Sequence, residues 1–171
     1  MLKSTPPPTN PITPEITPSH ISPKISATPE SSPVNLARQR ASLGRYAEFM
    51  VCAELTKRGY YVTHCDAPGF DLVLVVGEKS LRVQVRSTSN VSGDYCVWMC
   101  RKGFGSRDAA NFLRSRPINR SDTDLIALYH HVFATTVFVV VGDISPGGSI
   151  RLSIDDVRDP ASSLHRALAR I

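Results

Sequence analysis

Four residues of this chain have types and spacing that could do chemistry together. Asp71 opens the apolar run Leu72 to Val76, Gln84 and Arg86 alternate in Leu-Arg-Val-Gln-Val-Arg-Ser, and Glu48 lies in the helical stretch before them. The Asp71 carboxylate, the Gln84 side-chain oxygen and the Val85 carbonyl are hard oxygen donors, the type that suits Mg²⁺ with water and phosphate filling its remaining positions. The bland alternative is a structural ion pair of Asp71 with Arg86, with Gln84 as a hydrogen-bonding neighbour, because ion-pair networks mimic active sites.

The elements that must position these groups are readable nearby. Val76-Gly77-Glu78-Lys79 has glycine first in a two-residue loop, the type II′ hairpin signature. Pairing Val76 with Lys79 sets Asp71 opposite Gln84, with Cβ atoms roughly 5 Å apart, and Arg86 follows on the same face. The rest of the hairpin is apolar on both faces, Leu72, Leu74, Val83 and Val85 on one and Val73 and Val75 on the other, which predicts a strand pair covered on both sides. Upstream, Ala41 to Arg58 is rich in helix formers and stops at Gly59, with Lys57 and Arg58 in the last turn. Val51, Cys52 and Leu55 follow Glu48 at helical spacings, which turns it inward as a metal or water-organising carboxylate. A bond from Glu48 to Arg45 or to a backbone amide is the competing expectation. Glu54, followed by Lys57 and Arg58, reads as a solvated ion pair.

Gly44-x3-Glu48, then Val51, Leu55, Gly59 and Val62, Phe70-Asp71-Leu72 and Val83-Gln84-Val85-Arg86 together resemble the PD-(D/E)XK nuclease superfamily. The nearest likeness is to its Holliday-junction-resolvase-like and intron-endonuclease-like members, and Ser121 to Tyr129 and Thr136 to Val141 resemble their later strands. The resemblance covers roughly 35 to 144. It implies an α/β fold with a restriction-endonuclease-like core in the order α-β-β-β-α-β, a mixed central sheet flanked by helices. It also implies Mg²⁺- or Mn²⁺-dependent hydrolysis of DNA, with branched or structured DNA as the substrate suggested by the resolvases, and a homodimer for cutting two strands. Carried over, Glu48, Asp71, Gln84 and Arg86 are the catalytic set, and Glu48, Asp71, Gln84 and Val85 hold the metal. Gln84 stands where the family usually has an acid and Arg86 where it has lysine. Arginine stays protonated and cannot be a general base, though its planar fork can bind phosphate. A pseudo-nuclease that binds DNA without cutting, and a protein-interaction domain with a structural polar cluster, therefore remain open.

Charge points to a nucleic-acid partner independently. The chain holds 20 Lys and Arg against 15 Asp and Glu, net +5, and the stretch from Arg101 to Arg120, with six basic residues and one acid, accounts for the whole surplus. Arg101, Lys102, Arg107, Arg114, Arg116 and Arg120 are the expected DNA contacts, on a glycine loop at Gly103 and Gly105 and a short helix from Asp108 to Arg116. The alternative is a solvated basic face. A membrane surface is excluded as the partner because no segment joins this charge to a long apolar face.

Nine of the 13 prolines fall in the first 33 residues. This predicts an extended Pro/Ser/Thr tail over 1–35 and a nuclease domain over 36–171. The start lacks the apolar run of a signal peptide. Cys52, Cys65, Cys96 and Cys100 form no CxxC pair, so they read as buried reduced thiols of a cytoplasmic protein. His130-His131 reads as an exposed turn and His64 as a phosphate contact or, more simply, a structural histidine. Asp124 to Tyr129 and Thr136 to Val141 predict a second hairpin, with Asp124 structural. Arg151 to Ile154 predicts a short strand, and Asp155 to Arg170 a helical end broken near Pro160 and capped by Ser162-Ser163.

Overall fold

The computed structural model describes residues 33–103 and 115–171. Helix α1 (Pro33–Lys57) begins eight residues before the expected Ala41. Proline is pre-organised for a helix's first turn, where its missing N–H costs nothing, so Pro33 is suited to open this helix. Ala47, Val51 and Leu55 form its fully buried stripe. Gly59, at φ +85°, ends it.

Three antiparallel strands follow, β1 (Tyr61–Ala67), β2 (Phe70–Val76) and β3 (Lys79–Thr88). Gly77 has φ +60° and Glu78 is not in the left-handed region, as a type II′ turn requires. Val76 pairs with Lys79 and Leu72 with Val83, the expected register. One expectation fails on the hairpin's second face, where Val75 is 38% exposed while Leu72 and Leu74 are fully buried. Among the described residues no layer covers that end of the sheet, and β1 is its edge, with Tyr61 83% exposed.

Next come β4 (Val91–Ser92), β5 (Tyr95–Met99), β6 (Arg101–Lys102), β7 (Arg116–Pro117), β8 (Leu125–His130) and β9 (Thr135–Val140). The central sheet has the order β1-β2-β3-β8-β9, mixed because β3 and β8 run parallel while β8 and β9 form the expected antiparallel hairpin. Strand β8 is buried throughout and its residues alternate between two cores. Leu125, Ala127 and Tyr129 join α1, with Leu164 and Ala167 of α3 (Ser163–Leu168), on one face. Ile126 and Leu128 join Trp98, Ile150 and Val157 on the other. That second face is covered by a small sheet in the order β10-β5-β4, where β10 is Ser149–Ser153, and by α2 (Ile154–Arg158). The architecture is thus α/β with a mixed sheet between layers.

Several local expectations change. Most of the expected helix from Asp108 to Arg116 lies outside the described residues, but Arg116 itself is in strand β7, paired with Lys102. His130 ends β8 fully buried, stacked on Phe133 and edge-on to Trp98, and burial lowers its pKa. His131 is partly buried beside Tyr129, so neither histidine is an exposed turn residue. Cys52 and Cys65 are only partly buried, and Cys65 lies within β1. Burial pushes the Cys100 thiol up to about 11, which leaves it inert. Ser162 makes no capping bond to α3, and the adjacent Ser163 instead accepts from Phe138 N–H, tying the helix to β9.

Candidate active site

The site forms where the β2–β3 ladder ends. Beyond the Leu72–Val83 pair the Asp71 carboxylate replaces the next strand carbonyl as an acceptor. Its Oδ2 takes the Val85 N–H at 2.7 Å and a hydrogen bond from the Gln84 amide. Gln84 also donates to the Val85 carbonyl at 3.3 Å. Arg86, on the same side as Gln84, donates from Nη2 to the Arg101 carbonyl at 3.0 Å, and its Nε is buried without a partner among the described residues. Asp71 does not pair with Arg86. The simple structural ion pair is therefore not formed.

Helix α1 brings Glu48 over this strand end. Glu48 Oε2 lies 3.0 Å from Arg45 Nη1 and 2.7 Å from His64 Nε2, so the expected Arg45 partner is present and His64 is a second. His64 pairs with Leu72 in regular register and so faces the α1 side of the sheet, where its ring stacks on Phe49 at 5.2 Å. Arg45 and His64 were not expected as partners of one carboxylate. The helical spacing of Arg45 to Glu48 is the sequence signal for the first partner; for His64 the signal is its alternation with Val62, which sets its face of β1 but not the helix residue it meets.

Gly44, Glu48, Asp71, Gln84, Val85, Arg86 and Ser87 line a cavity of about 210 Å³. The four sequence-derived candidates thus meet around one space. Burial raises the Asp71 pKa and the nearby charge of Glu48 raises it further, against the Val85 N–H, Arg86 and His64, which lower it. Two carboxylates sharing a partly desolvated pocket make a field that a cation relieves. Among the described residues no three His, Cys, Asp or Glu side chains gather as a metal cage. An ion here would instead meet two carboxylates, an amide oxygen and a backbone carbonyl, with open positions for water and phosphate, a donor set that fits Mg²⁺ or Mn²⁺.

The basic segment has a different arrangement from the one expected. The Arg101 guanidinium donates to the Gly147 carbonyl at 2.8 Å, to Ser115 Oγ at 2.9 Å and to the Ser115 carbonyl. Lys102 and Arg116 both bind Asp122, at 2.9 Å and 2.5 Å. The Asp122 side chain is 4% exposed, and a carboxylate so buried needs its cations. Arg116 and Lys102 hold it well below the usual carboxylate range. These three basic residues therefore tie the β6–β7 ribbon to the domain, and the ribbon presents the carbonyl that holds Arg86. Arg120 is exposed, and Arg107 and Arg114 lie outside the described residues. Asp124 is structural as expected, taking Arg82 N–H at 2.9 Å and a two-toothed contact from its guanidinium.

A family model described as PD-(D/E)XK endonuclease matches residues 39–167. Among solved structures, a bacterial homing endonuclease, I-Ssp6803I, is similar at 24% identity with a TM-score of 0.56, covering 74% of this chain and 91% of that one. A Holliday junction resolvase from an archaeal hyperthermophile, Archaeoglobus fulgidus Hjc, aligns at 16% identity and TM-score 0.43, over 71% of this chain and 93% of that one. No curated protein sequence matches. Among the described residues no helix is long and apolar enough to cross a membrane.

Proposed function

Because this chain belongs to the PD-(D/E)XK endonuclease family, we propose that it is a metal-dependent endonuclease hydrolysing DNA phosphodiester bonds at the cavity between α1 and the β2–β3 hairpin. The observation that carries this reading is the convergence of Glu48, Asp71, Gln84 and Arg86 on one cavity, with the Arg86 Nε buried and without a partner among the described residues. A buried guanidinium N–H costs free energy until an acceptor arrives, and a phosphate oxygen is such an acceptor.

Asp71 and Glu48 would hold Mg²⁺ or Mn²⁺ together with the Val85 carbonyl and the Gln84 oxygen, once the Gln84 amide turns over and releases Asp71. When bound, such an ion supplies Lewis acidity and a water of lowered pKa. The chain's own groups do the rest. Arg86 stays protonated, binds the scissile phosphate and stabilises the negative charge that develops on it. The Arg101 carbonyl fixes one edge of its guanidinium. Glu48, whose Oε2 meets Arg45 and His64, would offer its carboxylate to the ion. Arg107, Arg114 and Arg120 add sequence-independent attraction to the backbone, while Arg101, Lys102 and Arg116 act through the ribbon they hold. Branched or structured DNA as substrate, a homodimer, a tail ahead of the domain that α1 opens, and a cytoplasmic setting belong to the same proposal.

A DNA-binding module that has lost cleavage is the second reading. It is favoured by the Gln84 amide, which satisfies Asp71 without a cation. The two readings separate on cleavage of supercoiled, linear and branched DNA by wild type and Arg86→Ala. The nuclease reading expects cutting that falls about 10²-fold or more in the variant, the scale of one lost transition-state donor. Equal cutting by both proteins removes Arg86 from the chemistry, and no cutting by either supports the binding module.

A further inference from the structure

Helix α1 overruns the sheet it packs on. Its buried stripe ends at Ala47, and residues 35 to 43 are all exposed. Pro33 to Ala47 carries Arg38, Arg40 and Arg45 and no acid, the first being Glu48. Arg40, Gly44 and Glu48 stand in one row at four-residue spacing, on one side of the helix. Gly44 and Glu48 line the candidate cavity, and Arg40 stands in the same helical row one turn beyond Gly44. Arg38 lies on the other side of the same overhang. Both are exposed and neither makes an ion pair or hydrogen bond among the described residues.

Residues 35 to 43 are exposed on every side of the helix, and the charges of Arg38 and Arg40 meet no acid there. We infer that the first half of α1 is a phosphate-contact arm, in which Arg40, seconded by Arg38, grips the DNA backbone beside the bond at the cavity. This rests on the reading of the cavity as a DNA site. Eight residues separate Arg40 from Glu48, about 12 Å along the axis. The arm supplies charge that the β6–β7 ribbon, with its cations turned inward, does not.

The test is the salt dependence of binding to a DNA duplex, measured in EDTA with the full chain for wild type, Arg38→Ala/Arg40→Ala and the control Lys79→Ala. Alanine is the best helix former, so helix content by circular dichroism stays at the wild-type level. Two lost phosphate contacts lower the slope of log affinity against log salt by about 2, so a fourfold dilution of salt raises wild-type affinity about tenfold more than the variant's. Lys79, at the far tip of the β2–β3 hairpin, leaves the slope unchanged. A double variant that keeps the wild-type slope and affinity overturns the arm. Cleavage is read separately. Wild type that binds without cutting sinks the nuclease reading alone, and a reduced slope in the variant then still supports the arm.

Discussion

Removing the Asp122 carboxylate tests whether the basic ribbon is a structural element. In Asp122→Ala, Lys102 loses a 2.9 Å contact, Arg116 loses contacts of 2.5 and 2.7 Å, and Asn119 N–H loses its 3.1 Å acceptor. Hydrogen bonds to charged groups contribute about 1.5–3 kcal/mol each, and breaking a fully buried pair costs about 3–5 kcal/mol. Here the carboxylate is buried, but Lys102 and Arg116 are 28% and 32% exposed and rehydrate once released. The lower end therefore applies, about 3 kcal/mol, or about 10 °C in Tm for a domain of this size. Urea unfolding at pH 7 reads the loss directly. The pH dependence has a fixed sign: a carboxylate held below its unfolded value contributes stability above that value and loses it as pH falls through the folded one. The gap between wild type and variant is thus full at neutral pH and closes in acid, below the ordinary value of 3.8. A loss under about 1 kcal/mol, the range of a surface pair, refutes the network as a structural tie.

Two further outcomes follow from the geometry. Burial raises the Asp71 pKa, so its charge opposes folding at neutral pH, and this penalty grows as pH rises from the unfolded value through the folded one. Asp71→Asn should therefore match or exceed wild type in Tm at pH 7 without metal, and fail to gain the stability that Mg²⁺ or Mn²⁺ gives wild type by mass action. Calorimetric scans with and without the ion check both halves, and equal stabilisation by metal in the two proteins would remove Asp71 from the ion's site. Gly69 sits at φ +107°, with Lys102 Nζ 3.0 Å and the Asp122 carbonyl 3.4 Å from where a Cβ would be. Gly69→Ala should cost about 1–2 kcal/mol through strain, read by the same urea titration, and an unchanged midpoint would contradict it.

Local turn chemistry made the heart of the site legible in the sequence. Gly77 in a two-residue loop fixes the hairpin register, and the register alone puts Asp71 against Gln84. The inward aim of Glu48 was equally readable, because three apolar neighbours at helical spacing settle which way that side of α1 faces. Contacts that depend on long-range geometry were not readable. Alternation with Val62 puts His64 on the α1 side of β1, but which helix residue it meets depends on how α1 crosses the sheet, which no local pattern announces. The run from Arg101 to Arg120 read as a surface charge because its buried partner, Asp122, looks like any polar loop residue until β6 and β7 close around it. The early start of α1 was hidden by proline, which ends a helix from within but begins one at its first turn.

The central claim is a DNA-cutting, metal-dependent site built on Asp71. Its most direct test is cleavage of supercoiled, linear and branched DNA by wild type and Asp71→Ala in Mg²⁺, Mn²⁺ and EDTA, with binding measured on the same substrates. The expected result is cutting by wild type with either ion, none in EDTA, and none by Asp71→Ala although it still binds DNA. Binding without cutting by wild type under every metal condition, or undiminished cutting by the variant, would contradict it.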